Sequence, residues 1–164
     1  MTIKFFLDEL KKVVADAVKD YKLPTSLQKG DQKIETRAPA IHLMRLPDSR
    51  SVTKIAPYIL IRYITGMAKQ EDGERPEYNA VIRMIFCVYG KDEEEGALSL
   101  INVMDSVRIK LLKTVTVANC FRLDTTKGLE ELVYEDDTAP YYAGEMVGTF
   151  QLPPIEREVD YGSI

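Results

Sequence analysis

The segment from Asn79 to Tyr89, NAVIRMIFCVY, constrains the fold more than any other part of the sequence. It is rich in the β-branched and aromatic residues that favour strands. Both of its alternating faces are apolar over most of their length, with Arg83 as the charged exception, whereas a strand on a half-exposed sheet shows polar residues on one face. We therefore predict a central strand that is covered on both sides.

Four further extended segments are predicted. The first, PYILIRYI at 57–64, is joined to the central strand by TGMAKQEDGERPE, which has the composition of a hairpin loop. Three more follow at 119–123, 131–135 and 144–152. In the last of these, Met146, Gly148, Phe150 and Leu152 alternate with Glu145, Val147, Thr149 and Gln151. This alternation predicts a strand with one buried face.

An amphipathic helix is predicted at the N-terminus. Its apolar residues recur at helical spacing: Phe6, Leu10, Val13, Val14, Ala17, Val18 and Tyr21. Thr2 stands where it can cap the first turn. Pro24 is expected to end the helix, because the residue before a proline is pushed out of helical geometry. The mixed charge of the polar face favours packing on a sheet over binding to a membrane surface.

The stretch YGKDEEEG, at 89–96, raises the question of a metal or acid–base site. Asp92 stands at an N-cap position and Glu95 follows at capping-box spacing. Acids in a first helical turn also offset the helix dipole, and basic residues stand in the last turns of the same predicted helix. Consecutive acids at a helix start fan outward, whereas a metal needs ligands that converge. We therefore predict a helix start and no metal site.

This second helix is predicted to reach about Lys113. Its apolar stripe consists of Ala97, Leu100, Ile101, Met104, Val107, Leu111 and Leu112. The resulting order of helix, loop, hairpin, helix and strands predicts an α+β fold, with a mostly antiparallel sheet packed by two main helices. A chain of 164 residues fits one domain, here taken as 1–164.

Two segments of this domain are expected to lie outside its regular structure. Within residues 24–56, the stretches PTSLQKGDQ and LPDSRS carry the Gly, Pro, Asp and Ser that punctuate loops, and only AIHLMRL at 40–46 looks like a strand. An irregular segment of this length is often functional, so we interpret it as an interaction arm. Residues 153–164 begin with two prolines and are interpreted as an extended C-terminal tail.

Composition excludes several classes of function. The chain has 22 basic and 26 acidic residues, a net charge of −4, and no dense Lys/Arg run, which argues against sequence-specific binding of nucleic acid. No apolar run approaches the ~18 residues of a membrane span, and the N-terminus does not resemble a signal peptide, so we expect a cytoplasmic protein. Cys87 and Cys120 lack metal or disulfide spacing and are interpreted as small hydrophobic residues.

The sequence also lacks the common catalytic signatures, including GxGxxG, the P-loop, HExxH and GxSxG. His42 is the only histidine, and a lone histidine is more often structural than catalytic. The stretch EELVYEDD offers the carboxylates of Glu130, Glu131, Glu135, Asp136 and Asp137. Carboxylates in this setting are more typical of a solvated strand edge than of an acid–base pair. We predict no enzymatic activity and no cofactor.

Several stretches resemble the tail-completion, or tail terminator, proteins of tailed bacteriophages and prophages. In order they are APYILIRYITG, RMIFCVYGKDEEEGALSLINVMDSVRIKLL, FRLD and LVYEDDTAPYYAGEMVGTFQLPPIER. They cover roughly residues 55–157, and the ending at 140–157 is the most specific part. The arm matches less well, and the tryptophan that the family often has before the YED turn is missing here.

The resemblance implies a structural protein of virion assembly. Such proteins form a ring, commonly a hexamer, that caps the tail tube, stops its polymerisation and presents the surface on which the head docks. The implied partners are other copies of the chain, the tail tube protein and a head-completion or connector protein, with DNA passing through unspecifically and no membrane. The implied location is the head-proximal end of the virion tail, after synthesis in the bacterial host cytoplasm.

Within such a ring, the arm, the last strand and the tail are the expected contact regions. The candidate interface residues are His42, Met44, Arg45, Tyr141, Tyr142, Glu145, Pro153, Pro154 and Ile155. The five acids between Glu130 and Asp137 are candidates for a negative channel lining that repels DNA phosphates, although a solvated edge is the preferred interpretation. Two other functions stay open: a head–tail connector or neck protein and, more distantly, a small cytosolic α+β ligand-binding protein or enzyme.

Overall fold

The computed structural model describes residues 1–29, 33–47, 55–135 and 138–158. The helices in this part of the chain are α1 (Ile3–Val18) and α2 (Glu93–Thr114). The strands are β1 (Leu23–Lys29), β2 (Lys33–Arg37), β3 (Ala40–Leu43), β4 (Tyr58–Lys69), β5 (Glu77–Tyr89), β6 (Thr116–Val117), β7 (Phe121–Leu123), β8 (Leu129–Val133) and β9 (Tyr141–Gln151).

Seven of these strands form one curled sheet in the order β3-β4-β5-β9-β7-β6, with β8 pairing β9 on the same side as β7. The β3–β4 pair is parallel and the other pairs are antiparallel. Strands β1 and β2 form a separate antiparallel hairpin. The prediction of an α+β fold with a mostly antiparallel sheet is confirmed.

The central position predicted for β5 is confirmed, because it pairs along its length with β4 on one side and β9 on the other. Its residues Ala80, Ile82, Met84, Phe86 and Val88 are buried in the main core. Facing residues of α1, α2 and β9 complete that core, among them Phe6, Leu10, Leu100, Met104, Met146 and Phe150.

The opposite face of the sheet carries a smaller apolar cluster. Ala56, Tyr58, Leu60 and Cys87 are buried there, and Leu46 and Ile55 pack against them. Leu46 and Ile55 thus help to cover this face, and Ile85 and Tyr89 of β5 pack on the same cluster, so β5 is apolar on both sides.

Both predicted helix caps are confirmed. Oγ1 of Thr2 accepts a hydrogen bond from the N–H of Phe5 at 3.1 Å, and Oδ1 of Asp92 accepts one from the N–H of Glu95 at 2.9 Å. Glu93, Glu94 and Glu95 occupy the first turn of α2. Across the described residues, no group of three or more His, Cys, Asp or Glu is arranged to hold a metal ion.

The prediction that residues 24–56 are irregular is wrong for their first half. β1 and β2 lie between residues 23 and 37, and Pro24 belongs to β1 instead of ending the first helix. The strand predicted at 40–46 is confirmed for its first four residues, which form β3. α1 ends at Val18, because the chain turns there to bury Leu23 in the core. Backbone pairing between β1 and β2 stabilises polar segments whose sequence carries little strand signal.

Smaller corrections concern the ends of elements. β4 continues to Lys69, so the turn to β5 occupies only residues 70–76 of the predicted hairpin loop. β8 covers 129–133 instead of 131–135, and β9 begins at Tyr141, three residues before the predicted start. The described residues contain no helix with the length and apolarity needed to cross a membrane.

Candidate assembly surfaces

The predicted interface residues of the arm lie at the edge strand β3 and its end. His42 is half-buried, its ring lies 6.5 Å from the ring of Tyr58, and its buried Nε2 has no hydrogen-bond partner among the described residues. Burial lowers the pKa of His42, and the charges of Lys11 and Arg37 lower it further. These surroundings favour the neutral imidazole, so His42 acts as a packed ring more than as a charged contact.

Met44 and Arg45 mark the place where β3 stops. Met44 has a φ of 64°, its N–H donates to the carbonyl of Ile61 at 2.8 Å, and its Sδ lies 3.2 Å from the N–H of Tyr63. The left-handed conformation at Met44 bends the chain out of the extended geometry and ends the pairing of β3 with β4. Arg45 follows and is exposed, so its guanidinium is accessible to a partner.

Arg37 fixes the position of this arm relative to the sheet. Its Nη1 donates to the carbonyls of Pro57 at 3.0 Å and Ala38 at 3.3 Å, and its Nη2 donates to the carbonyl of Ile55. One guanidinium thus joins the end of β2 to the segment that leads into β4. Burial lowers the pKa of Arg37, but a guanidinium stays charged at neutral pH.

The predicted interface residues of β9 serve the fold of the monomer. Tyr141 contacts Tyr89 with ring centroids 5.4 Å apart, and Tyr142 on the other face packs against Gly96 of α2. Oε2 of Glu145 lies 3.1 Å from Nε of Arg83 and accepts a hydrogen bond from the Tyr134 hydroxyl at 3.2 Å. The structure therefore gives all three residues intramolecular partners.

The C-terminal tail lies along the turn between β4 and β5. After Pro153 and Pro154, the carbonyl of Ile155 accepts a hydrogen bond from Nε2 of Gln70 at 2.7 Å. Arg157 donates to the carbonyl of Gln70 at 2.7 Å and forms an ion pair with Asp72 at 2.8 Å. The side chain of Ile155 is nevertheless 71% exposed, so it remains available to a partner.

The predicted channel acids do not share one face. Strand alternation directs Glu130 and Glu131 to opposite sides of β8, and Glu131 forms an ion pair with Arg108 of α2 at 3.5 Å. Glu135 follows β8 and is exposed. Asp136 and Asp137 lie outside the described residues. The role of these acids in a channel remains a prediction.

An exposed apolar surface on α2 and β8 was not predicted. Its members are 42–54% exposed: Leu98, Ile101, Ile109 and Leu112 on α2, and Leu132 and Val133 on the two faces of β8. Ile101 and Leu112 were expected in the buried stripe, but the buried positions of α2 are Gly96, Leu100, Val103, Met104, Val107 and Leu111. The sequence signal was the number of apolar residues in α2, which exceeds what one buried face requires.

The two edge regions of the sheet differ in charge. The basic edge, defined as β3 with Met44, Arg45 and Leu46 together with β4, contains Arg45, Arg62 and Lys69 and no acid. The acidic edge, defined as residues 129–135, contains Glu130, Glu131 and Glu135 and no base. All six of these residues are exposed. The structure thus places charges of opposite sign at opposite sides of one sheet.

Comparisons with known proteins extend the description of the fold. No family model matches the chain, and no curated protein matches it significantly. Among solved structures 34 chains match. One of them, which carries no functional name, has a TM-score of 0.52 and 10% sequence identity and covers 96% of this chain and 99% of its own length. At this identity, the likeness establishes a shared fold over nearly the whole chain.

Proposed function

We propose that this chain is a structural protein of virion assembly: a tail terminator that forms a ring on the end of a phage, or phage-like, tail tube. The observation that carries the proposal is the exposed apolar surface on α2 and β8. Exposed apolar side chains are unfavourable in water, and where several lie on one element of a folded protein they often mark a site of association. A subunit that functions only in an assembly has a reason to keep such a surface.

The position of the sequence resemblance supports the same proposal. The stretches that resemble tail terminators fall on β4, β5, α2, β7, β8 and β9. These elements form the centre of the sheet and the helix that covers it, and they include the exposed apolar surface. The resemblance thus concerns one connected body and not scattered loops.

The proposal assigns a role to each partner. Ring subunits bind each other, one face of the ring binds the last layer of tube protein, and the opposite face receives the head-completion protein. DNA passes through the ring without sequence-specific contact. The protein is made in the bacterial host cytoplasm and resides at the head-proximal end of the tail.

Tail length measured by electron microscopy tests the proposal. Particles from a producing strain that lacks this gene are expected to have overlong, headless tubes of irregular length. Tubes of normal length without heads would replace the proposal with a connector that does not control length. Intact, infectious particles would refute both functions.

A further inference from the structure

The strand edges at the two sides of the sheet are open to pairing. β8 pairs only with β9, and the N–H of Tyr134 just beyond it donates to the carbonyl of Ala143 at 3.0 Å. Because inward and outward backbone groups alternate along an antiparallel strand, the backbone groups of Glu131 and Val133 point away from β9. Within the described chain, no strand pairs with that side of β8.

The basic edge is open in the same way. β3 pairs only with β4, and this pairing stops at Leu43 and Ile61. After these residues, the Met44 thioether accepts a hydrogen bond from the N–H of Tyr63. Residues 64–69 of β4 pair with β5 along one edge, and no strand pairs with their other edge in the described chain. Among the described residues, nothing pairs with the outer side of this strand edge.

Charge decides which edges are able to meet. Edge strands commonly carry charges that discourage pairing, but here each edge carries a single sign. Two acidic edges, or two basic edges, repel each other, whereas an acidic edge and a basic edge attract. Arg45, Arg62 and Lys69 form no ion pair with another described residue, and neither do Glu130 and Glu135. Their charges are therefore available to a second molecule.

The acidic edge and the basic edge also both carry exposed apolar residues. Leu132 and Val133 are exposed on the acidic edge, 54% and 42% respectively. Beside the basic edge, a groove of about 410 Å³ runs between α1 and the sheet. Its lining consists of Ile3, Leu7, Leu43, Met44 and Tyr63 together with Lys4 and Asp8, which form an ion pair with each other at 2.8 Å. Val133, which shares its face of β8 with Glu131 beside α2, thus has the apolar residues of a groove available at the other edge.

We propose that the acidic edge of one copy of this chain pairs with the basic edge of the next copy, with Val133 packed toward the groove beside β3. Such a contact joins two different surfaces, so it propagates head to tail and forms a ring when the rotation closes. The inference rests on the proposed function for its biological setting and specifies the subunit interface. It assigns Glu130 and Glu135 to a contact between subunits and not to a channel lining.

Isotope-resolved cross-linking tests this interface directly. Equal amounts of ¹⁴N- and ¹⁵N-labelled full chain are mixed in concentrated solution at low ionic strength and treated with a carbodiimide, which couples carboxylates to lysine amines in contact. We expect mixed-isotope cross-links between Lys69 and Glu130 or Glu135. The absence of mixed-isotope links, or links that join other surfaces, would overturn the inference.

Charge reversal supplies a second readout, by sedimentation. The triple variant R45E/R62E/K69E makes both edges acidic, and the double variant E130K/E135K makes both basic. Each variant alone is expected to associate on the order of tenfold more weakly than the wild type, or worse. An equimolar mixture of the two, and a chain that carries all five substitutions, are expected to recover association because unlike edges meet again.

The control variant E71K/E74K changes charge by the same amount as E130K/E135K in the exposed turn between β4 and β5, and it is expected to associate like the wild type. Recovery of association in the mixture would also show that the triple and double variants both fold. Failure of the mixture and of the five-fold variant to recover would refute edge pairing. That result would not bear on the tail-length experiment. Conversely, confirmed edge pairing together with normal tail length in the strain that lacks this gene would refute the proposed function and leave the interface standing.

Discussion

Gly96 is a residue whose missing side chain determines how α2 approaches the sheet. It lies in the first turns of the helix beneath the ring of Tyr142 from β9. A Cβ built at Gly96 would overlap Cε2 of that ring and lie 2.7 Å from its Cδ2. The close approach of helix and strand at this point therefore requires glycine.

The substitution Gly96→Ala is expected to lower the free energy of unfolding. The clash with Tyr142 costs about 1–3 kcal/mol, and the better helix propensity of alanine returns at most about 1 kcal/mol. Urea denaturation of the variant measures the net loss. In a Tyr142→Leu background the same substitution is expected to cost less, and an equal cost in both backgrounds would contradict the assigned clash.

His42 is expected to make the protein less stable in mild acid. Its pKa in the folded state lies below the unfolded value of about 6.5, because burial disfavours the charged ring. The unfolded state therefore binds more protons as the pH falls below about 6.5, and the stability of the folded state decreases.

A comparison of His42→Gln with the wild type isolates this effect, because His42 is the only histidine. Urea denaturation at pH 7.5 and pH 5 is expected to show a smaller loss of stability in the variant. Equal losses in both proteins would show that protonation of His42 is not coupled to folding.

The local sequence was sufficient to predict the role of some residues and insufficient for others. The caps Thr2 and Asp92 were predictable because capping depends on residues three positions apart. The exposure of Ile101 and Leu112 could not be predicted, because it depends on which face of α2 packs against β9 and β5. Spacing alone does not choose between two apolar stripes on one helix.

At the scale of elements, an ion-pair network joins α1 to α2. Asp16 of α1 contacts Lys110 of α2 and Lys19 of its own helix end, at 2.8 and 2.9 Å. The hydrogen bond from Lys110, and next that from Lys19, lowers the pKa of Asp16 to about 2. Nearby, the Tyr21 hydroxyl donates to the carbonyl of Asn102 at 2.9 Å and thereby strengthens the same helix pair.

The pH dependence of Asp16→Asn is expected to reveal this link. A carboxylate with a depressed pKa stabilises the folded state above its unfolded pKa of about 3.9 and loses that effect as the pH falls toward 2. The variant should therefore have a lower Tm than the wild type at pH 7 and a similar Tm near pH 2. Because the network is exposed, high salt should reduce the difference at pH 7. A difference that persisted near pH 2 would point to a cause other than charge.

Helices and strands were predicted correctly where their apolar periodicity matches the face that they bury. β4, β5, β9 and both helices carry apolar periodicity because they contribute to the main core. β1 and β2 were missed because LPTSLQK and KIETR are largely polar and are stabilised by pairing with each other. Arg37 adds hydrogen bonds to distant carbonyls, which no local pattern encodes.

At the scale of the whole molecule, the candidate surfaces arise from the topology of the sheet. Residues 129–135 and the β3–β4 region lie far apart in sequence from each other, and the order of strands sets them at opposite sides. The sequence identified the acids and placed an interaction arm around β3. It did not indicate that the charges divide by sign between two open edges, because that division appears only when the strand order is known.

The distribution of tail lengths in a strain that lacks this gene and is complemented with defined variants tests both the tail-terminator function and the subunit interface. Wild-type chain and the five-fold variant R45E/R62E/K69E/E130K/E135K are expected to restore one uniform length, because unlike edges meet in both. The triple and double variants alone are expected to leave overlong, irregular tubes, and their co-expression is expected to restore the uniform length. Tubes of uniform length in the uncomplemented deletion strain would contradict the central claim.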